Sequence, residues 1–226
     1  ALPMLLRRLL GSPVWPRCSC MNDVVFVKVC GVTRVLDAVA AAEAGVDAIG
    51  LNFVSASSRC VDVDTAREVA AAVRGRVMLV GVFRDQSVDD VLEVVELVGL
   101  DGVQIHGTLC SDLVDGLRPL VEMIITVVSV GGSQVDAVAN CSADVVMLDG
   151  PNPGSGVSFD WELVGNIVAD HTILLAGGLR PDNVAEAIRH VRPWGVDVAS
   201  GVEVGPGRKD PDLMARFVAA ARSGWT

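Results

Sequence analysis

VVFVKVCGVTRVLDAVAAAEAGVDAIGLNFV, residues 24–54, decides the fold. VVFVKV at 24–29 is a short apolar run rich in β-branched side chains, which reads as a strand buried on both faces. LDAVAAAEAG at 36–45 reads as a helix stopped by Gly45, and AIGLNFV at 48–54 as a second buried strand. Strand, helix, strand is the βαβ unit of a parallel sheet. Gly31 is followed by Val32 and Thr33, so no G-x-G-x-x-G turn follows the first strand. That omission argues against an open doubly wound sheet with a dinucleotide site.

The same alternation continues to the end of the chain, at roughly 25 residues per unit. The third to fifth strands are expected at 77–83, 102–106 and 123–130, and the last three at 144–150, 172–178 and 195–201. Helices are expected over 65–75, 88–99, 110–118, 134–140, from near Phe159, over 182–191 and over 210–222, with Gly75 and Gly99 as further stop signals. Eight such units predict an α/β fold, a single (β/α)8 TIM barrel.

Composition agrees with one large core. The chain has 226 residues, 51% hydrophobic, with 4% aromatic residues and no Tyr, so its interior must be built from Val, Ile, Leu and Ala. Lys and Arg total 18 against 28 Asp and Glu, a formal charge of −10, which argues against nucleic-acid or acidic-membrane partners. A small anion is still accommodated, because backbone N–H groups can hold a phosphate locally. The six cysteines, Cys18, Cys20, Cys30, Cys60, Cys110 and Cys141, show no metal-ligand spacing and read as free thiols of a reducing cytoplasm. Neither H-E-x-x-H nor a histidine triad occurs, so no metal is expected. Residues 1–20 break the pattern, with short apolar runs, Arg7, Arg8, Arg17, Pro13 and Pro16. They read either as a targeting remnant or as an extension from expression or misassigned start, ahead of a catalytic domain at 21–226.

A barrel builds its active site at the C-terminal ends of its strands. That rule selects Lys28, Cys30, Asn52, Phe53, Phe83, Arg84, Gln104, His106, Asp149, Gly177, Gly178 and 197–201. Alternation puts Lys28 and Cys30 on one face of the first strand, and Asp197 inward on the neighbouring last strand. Lys28 and Asp197 therefore read either as a supporting ion pair or as ligand contacts. A cation beside Cys30 is expected to lower its thiol pKa. Asp149 ends the apolar run VVMLD, where desolvation favours a carboxyl that donates a proton. AGG at 176–178 and SG at 200–201 fall on the seventh and eighth strands, where barrels build phosphate sites. PNPGSG at 151–156 is a candidate loop for closing over a ligand. His106 reads as a lining or hydrogen-bonded polar group, and His171 and His190 as surface residues.

Taken in order, KVCGVTR at 28–34, GLNFV at 50–54 with Ser58 and Arg59, VQIHG at 103–107, LDG…PGSGVSFDW across 148–161, LAGGLRPDNVAEAI at 175–188 and VDVASGVEVGPGRKD at 196–210 resemble the phosphoribosylanthranilate isomerase family. The resemblance covers nearly everything from Val25 to Ala221. It implies a cofactor-free Amadori rearrangement in tryptophan biosynthesis, with Cys30 as general base and Asp149 as general acid. It further implies Arg59 on the anthranilate portion, Asp197 on the sugar portion or the site geometry, and Gly178, Ser200 and Gly201 on the phosphate. Lys28 and His106 complete the expected substrate-binding set, with the phosphorylated ribosyl-anthranilate as partner and a monomer or weak homodimer as the assembly.

Ser58 stands where the family often has Pro before the Arg, Thr108-Leu109 replaces a common acidic residue, and PNPGSG replaces a frequent G-G-T-G. Two other readings stay open at this point. One is a different phosphate-binding barrel isomerase, including a bifunctional histidine and tryptophan pathway enzyme, although a histidine-pathway isomerase would resemble the scaffold with Asp ending strands one and five, where this chain offers Cys30 and no Asp. The other is a non-catalytic phosphosugar binder.

Overall fold

A computed structural model describes residues 24–107, 110–130, 142–150, 161 and 171–225. The helices expected at 134–140 and from Phe159, the loop at 151–156 and the segment 1–20 lie outside the described residues. Eight parallel strands close into a barrel in sequence order. They are β1 (Phe26–Cys30), β2 (Ala48–Asn52), β3 (Met78–Arg84), β4 (Gly102–His106), β5 (Met123–Ser129), β6 (Val145–Asp149), β7 (Ile173–Leu175) and β8 (Gly195–Val198). The described helices are α1 (Val35–Ala44), α2 (Val63–Val73), α3 (Val88–Val98), α4 (Ser111–Leu117), α5 (Val184–Val191) and α6 (Pro211–Trp225). The barrel expected from sequence is the one observed.

Closure brings Lys28 of β1 level with Asp197 of β8, and Phe26 level with Gly195. Strand alternation then splits the apolar residues into two clusters. One fills the barrel's interior toward its N-terminal end: Phe26, Ala48, Met78, Met123, Val145 and Leu174 among others, with the Phe26 ring stacked on Trp194 at 4.4 Å. The other packs between the strands' outer faces and the helices. Nearer the mouth the inward positions include polar ones: Lys28, Gln104, Asp149 and Asp197 are buried there. The interior is thus an apolar floor under a charged chamber.

The N-terminal rim repeats one device. The residue before each of β2, β4 and β6 is an aspartate whose Oδ2 accepts a backbone N–H from the preceding strand. Asp47 takes Val27 N at 2.7 Å, Asp101 takes Leu79 N at 2.9 Å, and Asp144 takes Ile124 N at 2.8 Å. Arg222 of α6 pairs with Asp47 at 2.8 Å, and Arg118 reaches both oxygens of Asp144 at 2.6 and 2.7 Å.

Two strand ends and one added element differ from expectation at the mouth. The seventh strand stops at Leu175, because Gly177 and Gly178 take left-handed φ of 83° and 64°. The eighth stops at Val198, where Ser200–Val202 form a 3-10 turn. An unforeseen antiparallel hairpin follows, β9 (Glu203–Gly205) and β10 (Arg208–Lys209), before α6.

Candidate active site

The strand mouths open on one cavity of about 340 Å³. Cys30, Asn52, Arg84, Gln104, His106, Asp149 and Asp197 line it from the strands, with Arg59, Gly177, Gly178, Ala199 and Ser200 from the loops. Phe53 and Phe83 face away and stack on each other at 5.2 Å. The loop Arg59 thus shares one chamber with Cys30, Asp149, Asp197, His106, Gly178 and Ser200. Gly201 stands just behind: a Cβ there would collide with the Leu179 carbonyl oxygen, so the close loop packing requires glycine.

Lys28 lies beneath the lining, fully buried. Its Nζ donates to Asp197 Oδ1 at 2.8 Å and to Gln104 Oε1 at 2.9 Å. This is the geometry of the supporting ion pair. Burial works against the Lys28 charge, but Asp197 and Cys30 outweigh it and hold the ammonium above its ordinary pKa.

The Gln104 amide carries the order one step further. Lys28 has no acceptor, so the Gln104 oxygen must face it, and Gln104 Nε2 therefore donates to His106 Nε2 at 3.0 Å. That bond fixes a neutral imidazole with its proton on Nδ1. Burial first, then the charges of Arg84 and Lys28, push the His106 pKa down to about 4. The neighbouring cation lowers the Cys30 thiol pKa as expected, yet the net shift is upward. Burial raises its thiol pKa and Asp197 adds to the rise, together exceeding the lowering by Lys28 and Lys209. Asp149 is 7% exposed, and its Oδ1 accepts from Gly150 N at 2.8 Å.

Two charged residues missed by the sequence reading hold the other wall. Glu203 grips Arg59 side-on, Oε1 to Nε at 2.9 Å and Oε2 to Nη2 at 2.8 Å. Lys209, buried, donates to Glu203 Oε1 at 2.8 Å, Cys30 O at 2.6 Å and Ala199 O at 3.1 Å, using all three N–H groups. Burial pulls the Lys209 pKa down; Glu203, which burial would raise, is held below the usual range by Arg59 and Lys209. Asp37 extends the chain, accepting from Lys209 N at 3.1 Å and from both Nε and Nη2 of Arg34. The hairpin is what delivers Glu203 and Lys209 to β1. Only the string VEVGPGRKD at 202–210 hinted at it, through a Gly-Pro-Gly turn between alternating residues.

At Gly31, with φ 72°, a Cβ would collide with Arg59 Cδ, so the glycine lets the guanidinium pass over the end of β1. His190 is exposed and His171 half-buried, both away from the cavity.

The chain is similar to a set of known proteins along nearly this whole span. The family model for N-(5'-phosphoribosyl)anthranilate isomerase matches residues 27–220. The N-(5'-phosphoribosyl)anthranilate isomerase of Myxococcus xanthus is 45% identical over 208 residues, covering 88% of this chain and 97% of the relative. The crystal structure of phosphoribosyl anthranilate isomerase from Thermotoga maritima superimposes with a TM-score of 0.81 at 35% identity, covering 87% of this chain and 98% of that one. A structure of such an isomerase in complex with reduced 1-(o-carboxyphenylamino)-1-deoxyribulose 5-phosphate gives 0.78 at 34% identity, with the same coverage. With the strand-tip groups gathered in one cavity and the match running from β1 into α6, the chain belongs to the N-(5'-phosphoribosyl)anthranilate isomerase family.

Proposed function

We propose that this chain isomerises N-(5'-phosphoribosyl)anthranilate to 1-(2-carboxyphenylamino)-1-deoxyribulose 5-phosphate. The observation that carries the reading is that a thiol, Cys30, and a carboxyl, Asp149, line one cavity whose rim also holds Gly178, Ser200 and Arg59. In this reading the backbone of Gly178, Ser200 and Gly201 takes the phosphate, and Arg59 takes the anthranilate carboxylate. Asp197 fixes Lys28 and lines the sugar's place. His106, neutral with its tautomer set, lines the wall as a hydrogen-bonding group rather than an acid or a charge.

Asp149 gives its proton to the furanose ring oxygen. The bond from that oxygen to the anomeric carbon breaks, and the nitrogen lone pair forms an iminium. The Cys30 thiolate then removes the proton from the adjacent sugar carbon. The released electrons form the enolamine double bond and neutralise the nitrogen. Tautomerisation moves the enol proton to carbon and leaves the ketone. The substrate's own nitrogen is the electron sink, so the balance closes with one acid and one base.

Every assigned group lies on one chain, so a monomer or weak homodimer suffices. A thiol base must stay reduced, which fits the cytoplasm; no described helix is long and apolar enough to cross a membrane. The test is single-turnover isomerisation at saturating substrate in Cys30→Ala and Asp149→Ala. Losses of about 100-fold or more are expected in each, from the usual contribution of one general acid or base. A near-wild-type rate in either folded variant removes that residue from its role.

A further inference from the structure

Proton removal from carbon needs the ionised form of Cys30, yet burial disfavours it, so the chamber must supply a compensating charge. We propose that Lys28 is the positioning residue for that base: its buried ammonium, held by Asp197 and Gln104, directs its remaining N–H at the Cys30 sulfur and stabilises the thiolate, while Asp197 limits the effect. The inference rests on Cys30 being the base.

Three observations meet here. Lys28 has three N–H donors; Asp197 Oδ1 takes one at 2.8 Å and Gln104 Oε1 takes another at 2.9 Å, which leaves one for the side of the chamber where Cys30 lies. Gly50, on the adjacent strand, is the space they share. A Cβ there would stand 2.8 Å from Cys30 Sγ and 3.2 Å from Lys28 Nζ, so a bare backbone lets sulfur and amine approach across β2. Finally, Lys28 sits below the lining while Cys30, Asp197 and Gln104 are on it, so the ammonium acts on substrate through those groups and not by direct contact.

The other charged groups facing Cys30 are Asp197 on β8, Lys209 on β10 and Arg59 after β2, with Asp149 on β6 lining the same cavity. Lys209 has its three donors committed elsewhere, to Cys30 O, Ala199 O and Glu203. Arg59 is neutralised by the Glu203 fork. Lys28 is therefore the buried cation left to the thiolate, the open Nη1 edge of Arg59 being the one given to the substrate carboxylate.

The decisive measurement is the pH dependence of Cys30 alkylation by iodoacetamide in the ligand-free protein, resolved from the other cysteines by peptide mass spectrometry. Asp197→Asn removes an anion from beside the sulfur and should move the half-rise downward. Lys28→Met should move it upward by about one pH unit or more, about tenfold less thiolate at a fixed pH below it. Lys28→Met leaves Asp197 buried without its partner, so the double variant Lys28→Met with Asp197→Asn is compared against Asp197→Asn alone. The double variant should titrate at higher pH than Asp197→Asn. In turnover, the acidic limb of kcat should shift with the thiol, with KM changing little. A merely structural lysine would move both single variants the same way or leave the Cys30 titration in place, and either result overturns the proposal. A shifted thiol in a protein without isomerase activity would instead defeat the functional reading, and the base role with it, leaving only the charge coupling between Lys28 and the sulfur.

Discussion

Arg59, the proposed anthranilate contact, has two of its five N–H donors already taken. Glu203 occupies Nε and Nη2, so an incoming carboxylate finds the edge bearing Nη1. The guanidinium is thereby aimed before binding, which lowers the ordering cost of recognition. Glu203→Gln replaces one accepting oxygen with a donor. The expected outcome is a KM about tenfold higher with kcat changed less, the size of one charge-assisted contact. Steady-state kinetics checks it; ligands lacking the carboxylate should bind the variant and wild type alike. Cys30, Asp149 and Asp197 were legible as mouth residues because each stands at or beside the C-terminal end of a recognisable strand, where alternation fixes the inward direction. Glu203 and Lys209 were not, because the hairpin that turns them back onto β1 has no periodicity long enough to read. The sign of the Cys30 shift was not legible either, since burial and Asp197 act through space on a residue whose nearest charged neighbour in sequence is Lys28.

Among the secondary-structure elements, the aspartate clamps carry the clearest energetic claim. Asp144 holds Ile124 N and the Arg118 guanidinium together, joining β5, α4 and the approach to β6. Asp144→Ala should destabilise by about 1–3 kcal/mol, since a backbone donor and a guanidinium both lose an ionised acceptor. Asp64→Ala, which breaks only an exposed pair with Arg67 at 3.8 Å, should leave the urea midpoint unchanged. Denaturation curves of the two variants decide between a working clamp and a crystallographic-style surface pair. Helix ends were read well where glycine is obligatory: Gly45 and Gly99 terminate α1 and α3 with φ 82° and 71°. Gly75 misled by two residues, because α2 ends at Val73 and the left-handed position belongs to the following turn. The strand expected over 172–178 was long for a similar reason. Apolar character continues through Ala176, but left-handed glycines end the ladder whatever their hydropathy.

Over the molecule as a whole, acid sensitivity is written into the chamber. His106 has a folded pKa of about 4 against an ordinary value of 6.5. Between those values the unfolded chain binds a proton that the folded chain refuses, so stability falls as pH drops from 6.5 toward 4. The full span corresponds to at most about 3 kcal/mol, reduced by whatever solvent reaches the ring. His106→Asn should flatten that limb, and urea midpoints at pH 7 and pH 5 for both proteins will show whether the slope follows the imidazole. The barrel itself was legible from its repeating pattern alone, because eight buried strands leave little choice of architecture.

Clamps at one rim and an ionisable chamber at the other give the two ends separate tolerances. Mutational drift among the mouth residues can retool what is accepted there while the aspartates keep the staves in register. A lineage with this layout is free to explore new substrates without first risking collapse.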